Sequence, residues 1–443
     1  MKAESIQIFS FKKPHMQVFH LTWITFFLCF FGWFGLSPLM AIVRDDLHLT
    51  KSQIGNIMIA SVSITIFARL LFGWLCDKIG PRLSYTYLLA IGSLPVMMIG
   101  LCNSYESFLI CRLAIGAIGA SFVITQYHTS VMFAPKVVGT ANATVAGWGN
   151  LGGGVTQMVM PLIFSGFLYL GLTNSMAWRV SMVIPGVALL VMAWVYYRYT
   201  QDTPDGNLSE LRKNNPNYTA KAKEAEGSFV GALKDYRVWI LFLCYGACFG
   251  IEITIDNIAA LYFMDNFQLG LQEAGLIAGS FGFMNIFARA LGGYFSDKVN
   301  IKFGFKSRIL LLSFFLVMEG LGIMYFSSAT LLPIAVGSML GFALFVKMSN
   351  GVTYSIVPFV NPSGIGSVSG IVGAGGNLGA VMIGILLKME NTTYREGLYI
   401  VGWGVIVIGA CTLGLLLQNW VDKEKANQKL EPKILTSMEL QAV

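Results

Sequence analysis

The sequence predicts an all-α membrane protein of twelve transmembrane helices in two pseudo-symmetric six-helix halves, and three observations predict it. Hydrophobic residues make up 55% of the 443 positions and charged ones only 12%, a balance at which lipid rather than water is the main solvent. Apolar runs of about 20 residues, enough to cross a hydrocarbon core roughly 30 Å thick, recur along the whole chain. The segment IFARLLFGWLCDK at 66–78 returns as IFARALGGYFSDK at 286–298, which marks an internal duplication at an offset of 220 residues.

The first run, 19–42, follows a polar stretch through His15 and exceeds the roughly 7 to 15 apolar residues of a signal-peptide core, so it is expected to remain as the first span. The others are expected near 54–76, 84–102, 107–133, 139–168, 178–198, 238–263, 273–296, 308–327, 331–358, 365–388 and 397–419. Residues 200–236, rich in Asn, Lys, Glu and Pro without apolar periodicity, read as a linker. The halves are therefore expected at 1–199 and 237–421, with a tail at 422–443. Basic residues fall on alternate sides, at Lys12 and Lys13, Lys78 and Arg82, Lys136, Arg198 to Arg237, Lys298 to Arg308, and Lys423 to Lys433. By the positive-inside rule those sides, both termini included, are expected in the cytoplasm of a multi-pass protein of the cell membrane. The net charge of +7 is thus a topology signal and not a nucleic-acid footprint, since no basic stripe lies on a soluble segment.

The seven cysteines show neither a CxxC pair nor histidines at zinc spacing, so buried free thiols are expected and no metal or other cofactor. Cys244 and Cys248 share a helix face, but two ligands alone do not close a metal site.

Two arginines stand out. Arg69 lies eight residues before Asp77, about 12 Å into the membrane if Asp77 marks the surface, and Arg289 stands in the same relation to Asp297 in the other half. An arginine at that depth costs about 2.5 to 3.5 kcal/mol on insertion scales, so something must compensate it. For a single buried arginine the plain expectation is an ion pair with a buried acid. A symmetric pair with no acid nearby on either helix points instead to a small anion clamped between two guanidinium forks, whose planar donors suit a planar oxyanion.

The glycine-rich runs GWGNLGGG at 147–154 and AGGNLGAV at 374–381 lack the preceding strand and lysine of a phosphate loop, and close helix packing accounts for most of their glycines. Asn150 and Asn377, partners under the duplication, are expected either to bond helix to helix or to reach the central cavity. Further ionisable residues fall inside spans: Glu252 and Asp256 at i, i+4, Arg112, His128, Glu319 and Lys347. Glu252, near mid-span, is the first candidate for proton coupling, with a structural pairing to Arg112 or Lys347 as the plain alternative. His128 beside Tyr127 is more often a hydrogen-bonded structural residue than a proton carrier.

The stretch GWLCDKIGPR at 73–82 resembles the signature loop of the major facilitator superfamily, and Gly293, Asp297 and Lys298 repeat it in part. AGWGNLGGG at 146–154 and GAGGNLG at 373–379 resemble the paired signatures of its nitrate/nitrite porter family. QYHTSVMF, YGACFGIEITIDNIA, SFGFMNIFAR and YSIVPFV are similar to the high-affinity nitrate transporter branch. The resemblance implies the major facilitator fold and transport of nitrate or nitrite. It implies substrate contacts from Arg69, Arg289, Asn150, Asn377, Phe122, Tyr245 and Phe249. Proton coupling is implied through Glu252 and Asp256, with His128 ranked behind them, and a conformational gate at Gly73, Asp77, Lys78, Arg82, Asp297 and Lys298. Two positions depart from the pattern: His128 stands where an apolar aromatic is implied, and Lys347 has no counterpart. The expected partners are the anion, protons and the lipid bilayer, with the chain functional as a monomer. Competing readings are nitrate/nitrite exchange, transport of another small anion such as a monocarboxylate, a non-transporting anion receptor, for which the soluble segments are too short, and a membrane enzyme, for which no nucleophile or cofactor motif is found.

Overall fold

The computed structural model describes residues 2–11, 14–214, 230–361, 365–389 and 391–417, and shows twelve helices long and apolar enough to cross a membrane. In the first half these are α1 His15–Asp46, α2 Lys51–Cys76, α3 Pro81–Leu101, α4 Tyr105–Met132, α5 Thr140–Tyr169 and α6 Asn174–Tyr199. In the second they are α7 Tyr236–Phe267, α8 Leu271–Phe303, α9 Lys306–Ser328, α10 Leu332–Ile356, α11 Ser367–Leu387 and α12 Tyr394–Leu417. Several helices, α1, α6, α7 and α8, overrun the apolar stretches by five residues or more in all, α8 as far as Phe303, because backbone hydrogen bonding continues into the interface where hydropathy has already fallen, whereas α10 and α11 end inside theirs. The middle of the inter-half connection, 215–229, and the chain beyond 417 lie outside the described residues.

Local sequence sets the helix ends. Thr50 with Gln53 and Thr393 with Glu396 form capping boxes that satisfy the first N–H groups of α2 and α12. Gly80, at φ 92°, turns the chain sharply between α2 and α3, and Pro81 then occupies the first helical position. The carboxylate of Asp202, just beyond α6, accepts from the backbone N–H of Arg82 at 2.9 Å and of Leu208 at 3.0 Å, pinning the start of the connection to the α2–α3 turn. Burial pushes this carboxyl above its ordinary value, with the two N–H donors pulling the other way.

Three spans are interrupted by a 3₁₀ turn: α1 at Ser37–Leu39, α4 at Ala117–Ala120 and α8 at Met284–Ile286. Such breaks free backbone carbonyls inside the membrane, which is tolerated only where protein groups take them up. In α4 they are taken up from α2: Thr65 Oγ1 donates to the Gly116 carbonyl at 2.6 Å and Arg69 Nε to that of Gly119 at 3.3 Å.

The halves are joined at the end of the bundle away from the described N-terminus. There Arg44 of α1 bonds both carboxylate oxygens of Asp265 of α7, at 3.1 and 3.2 Å. Lys51 donates to the carbonyls of Met389, at 3.1 Å, and Thr392, and Lys388 donates to Asn56 Oδ1 at 3.1 Å. Glycine makes the deeper joints: a Cβ at Gly154 of α5 would stand 2.6 Å from Gly282 Cα of α8.

Candidate functional site

The site grows from α2 and α8, the two helices of the duplicated segment. Arg69 and Arg289 are both buried. Besides the α4 contact, Arg69 reaches across to the other half, where Nη1 donates to the carbonyl of Gly373 in α11 and, at 2.8 Å, to the Asn377 side-chain oxygen in the amide orientation that satisfies both groups. Arg289 Nη2 donates to the Tyr245 hydroxyl at 3.0 Å. Among the described residues neither guanidinium makes an ion pair, and each keeps one buried nitrogen without a partner, Nη2 of Arg69 and Nη1 of Arg289.

Aromatic rings hold the two cations together. Arg69 lies 5.1 Å from the centroid of Phe122 and 5.5 Å from that of Phe249, and Arg289 lies 5.9 Å from Phe249, so one ring serves both charges. Tyr245 stacks on Phe249 at 4.9 Å, and Tyr354 stands edge-on to Tyr245 at 4.9 Å and to Phe122 at 5.5 Å. The glycines of α11 bring this box to Arg69: a Cβ at Gly376 would meet Phe249 at 2.5 Å and Tyr245 at 3.0 Å, and one at Gly379 would strike the Gly246 backbone of α7.

The structure thus brings together Arg69, Arg289, Asn377, Phe122, Tyr245 and Phe249. Asn150, the duplicate of Asn377, bonds elsewhere: its amide nitrogen stands 3.5 Å from Glu252 Oε1. The duplication is therefore broken at this point. The cause is Glu252, which gathers Lys347 Nζ at 2.6 Å, Asn285 Nδ2 at 2.9 Å and Asn350 Nδ2 at 2.7 Å into a buried polar cluster beside the clamp. Of the two partners expected for Glu252, Lys347 is the one found, and this accounts for the lysine the family pattern does not contain. Arg112 instead donates to the Trp33 carbonyl at 3.0 Å and to Asn257 Oδ1 at 3.3 Å, tying α4 to α1 and α7.

Asp256, also buried, leaves Oδ1 without a partner, and its backbone carbonyl accepts from Gln157 Nε2 at 2.5 Å. His128 lies about 9 Å along α4 from Phe122. Its Nε2 donates to the Gln201 carbonyl at 2.8 Å, and its Nδ1 lies 2.6 Å from the Tyr196 hydroxyl. The imidazole thus joins α4 to the end of α6. Of the residues expected at a conformational gate, Arg82 donates to the Tyr197 carbonyl at 2.8 Å, Asp297 accepts from Arg308 at 2.8 Å, and Lys78 and Lys298 lie over Trp74 and Tyr294, each tied within its own half. Gly73 lies on α2 with Val123 of α4 3.6 Å from where a Cβ would stand, and the side chain of Asp77 lies outside the described residues.

Sequence reasoning missed Tyr354, Asn285, Asn350 and the carbonyls of Gly119 and Gly373. The first had a signal, since it opens the YSIVPFV block, and Asn285 sits inside SFGFMNIFAR. The carbonyls had none, because nothing in the residue type Gly says which backbone oxygen an arginine from another helix will reach.

The sequence model for the Major Facilitator Superfamily matches residues 22–384. High affinity nitrate transporter 2.5 of Arabidopsis thaliana is 41% identical over 94% of this chain and 82% of its own length. The chain belongs to the Major Facilitator Superfamily, in the branch of the high-affinity nitrate transporters. High-affinity nitrate transporter 2.3 of Oryza sativa subsp. japonica is similar at 40% identity, over 94% of this chain and 80% of its own. Among solved structures, an inward-facing bacterial homologue of the human lysosomal transporter Spinster shares the fold, with a TM-score of 0.67 at 15% identity over 91% of this chain and 97% of its own. This major facilitator protein is accordingly a multi-pass membrane transporter and not an enzyme.

Proposed function

We propose that the protein carries nitrate, with nitrite as a second cargo, across the cell membrane by alternating access and in symport with protons. The observation that carries this reading is the pair of buried guanidinium groups from opposite halves, without an acid on either and with one unpartnered nitrogen on each. The two free donors and the stacked Phe249 make a flat, positive slot. A planar oxyanion fills it with charge-assisted bonds that a monocarboxylate, carrying an apolar substituent, cannot place on both sides. The names of the relatives, nitrate transporters by description, support the same cargo.

Binding at the joint between halves explains the cycle. Without an anion the two cations repel and oppose closure. With one, both halves bond a common guest and rock together around it. The termini and basic loops lie in the cytoplasm, where the membrane potential opposes entry of a bare anion by about 2.3 kcal/mol per 100 mV; one proton per anion cancels that opposition, and electrogenic uptake requires more than one. A single chain contains the whole site and works as a monomer.

Purified protein in proteoliposomes with an internal pH dye tests this. Nitrate and nitrite should each drive acidification of the lumen, whereas chloride and formate should not. Exchange of nitrate for nitrite is the second reading, favoured by the Glu252–Lys347 pair, which engages the first-choice proton carrier. Nitrate flux without any pH response selects exchange. Equal flux of formate and nitrate overturns the assignment of cargo.

A further inference from the structure

Glu319 of α9 takes no part in the clamp or in the Glu252 cluster, and it is the most anomalous acid among the described residues. It is fully buried, and among the described residues it makes no ion pair, nor does either of its carboxyl oxygens have a hydrogen-bond partner. The helices around it offer little. From α10 the Ser349 hydroxyl faces it, itself without a partner, and Lys347 lies within electrostatic reach but spends its ammonium group on Glu252. From α7 come Glu252, a like charge, and the neutral thiols of Cys244 and Cys248. From α12 the chain packs so tightly that a Cβ at Gly320 would stand 2.6 Å from the Gly402 carbonyl and 2.7 Å from Ile406. Arg308, eleven positions before Glu319 on α9, bonds Asp297 of α8.

An ionised carboxylate in such a place has lost its water and gained no cation of its own and at most the single Ser349 hydroxyl as donor, whereas the neutral acid forgoes only a hydrogen bond. We propose that Glu319 holds a proton in this arrangement and is the site from which a proton travels with the anion. The route of coupling is the cluster itself. The anion's negative charge at Arg289 adds to that of Glu252, one helical turn along α7 from Phe249, and favours retention of a proton nearby. Departure of the anion, together with movement of α10, frees Lys347 to be shared between Glu252 and Glu319, and the proton leaves. By linkage the reverse also holds: a proton on Glu319 favours the anion at the clamp. This inference rests on the proton-coupled nitrate transport proposed above.

Glu319→Gln reproduces the shape and neutrality of the protonated acid and cannot titrate. In proteoliposomes it should keep nitrate counterflow, which needs no net proton movement, within about twofold of the unaltered protein. It should lose accumulation of nitrate driven by an imposed pH gradient, and Glu319→Asp should restore part of that accumulation. Infrared spectra of the unaltered protein minus Glu319→Gln should contain a protonated carboxyl band at neutral pH, a readout independent of transport. Accumulation by Glu319→Gln at the original level overturns the proposal. So does absence of the carboxyl band, and so does a Glu319→Gln protein that unfolds far below the original, because the amide would then not be standing in for a neutral acid. If the unaltered protein performs no nitrate counterflow, the cargo assignment fails instead, while the infrared band still decides whether Glu319 carries a proton.

Discussion

Replacing Arg69 by lysine keeps the buried charge and removes the fork, which separates the two properties on which anion binding depends. In the structure Nε serves the Gly119 carbonyl, Nη1 serves Gly373 and Asn377, and Nη2 is free. A lysine has one nitrogen at the end of a flexible stem, so it can satisfy the acceptors of one half or turn to the anion, but not both. One charge-assisted bond to the anion is therefore lost, worth about 1.5 to 3 kcal/mol, which is roughly a 10- to 150-fold rise in Kd for nitrate. Isothermal titration in nanodiscs measures it directly, with thermal unfolding as the control for folding. Chloride, a sphere that gains nothing from parallel donors, should lose less than nitrate. A lysine variant that binds nitrate within twofold of the original, or that weakens chloride and nitrate equally, would refute the argument from fork geometry.

Two further perturbations probe the scaffold and the polar cluster. Gly379→Ala should lower stability by about 1 to 3 kcal/mol, because the new methyl strikes the Gly246 backbone and prises α11 from α7, whereas Gly166→Ala, with nothing within 4 Å, should be harmless; thermal unfolding of the two in parallel is the check. Glu252→Gln should cost about 3 to 5 kcal/mol by stranding the Lys347 ammonium, and adding Lys347→Met should recover much of that loss; a double variant no more stable than the single one counts against the pairing.

Phe122, Tyr245, Phe249 and Arg289 illustrate how far residue patterns reach. Each is named by the duplication or by family motifs, yet the sharing of Phe249 between two cations follows only from packing that sets this residue of α7 beside both Arg69 of α2 and Arg289 of α8. Glu252 shows the opposite case. Its position inside a span makes it conspicuous, but whether it titrates or pairs depends on Lys347, 95 residues away, entering the same polar pocket. Asn150 shows a limit of symmetry, since equal sequence in the two repeats does not compel equal partners once an acid stands beside one copy.

Hydrophobic runs, basic loops and an internal repeat are local quantities, which is why twelve spans, two halves and a matched pair of buried arginines can be read from the chain before any coordinates. Which donors those arginines have left over is not local. It is settled by carbonyls freed at helix breaks, by glycines that let α11 lie against α7, and by a carboxyl that draws Asn150 and Lys347 to itself. In a low-dielectric interior every polar group must find a partner or change its charge, and the partners are chosen by packing in three dimensions.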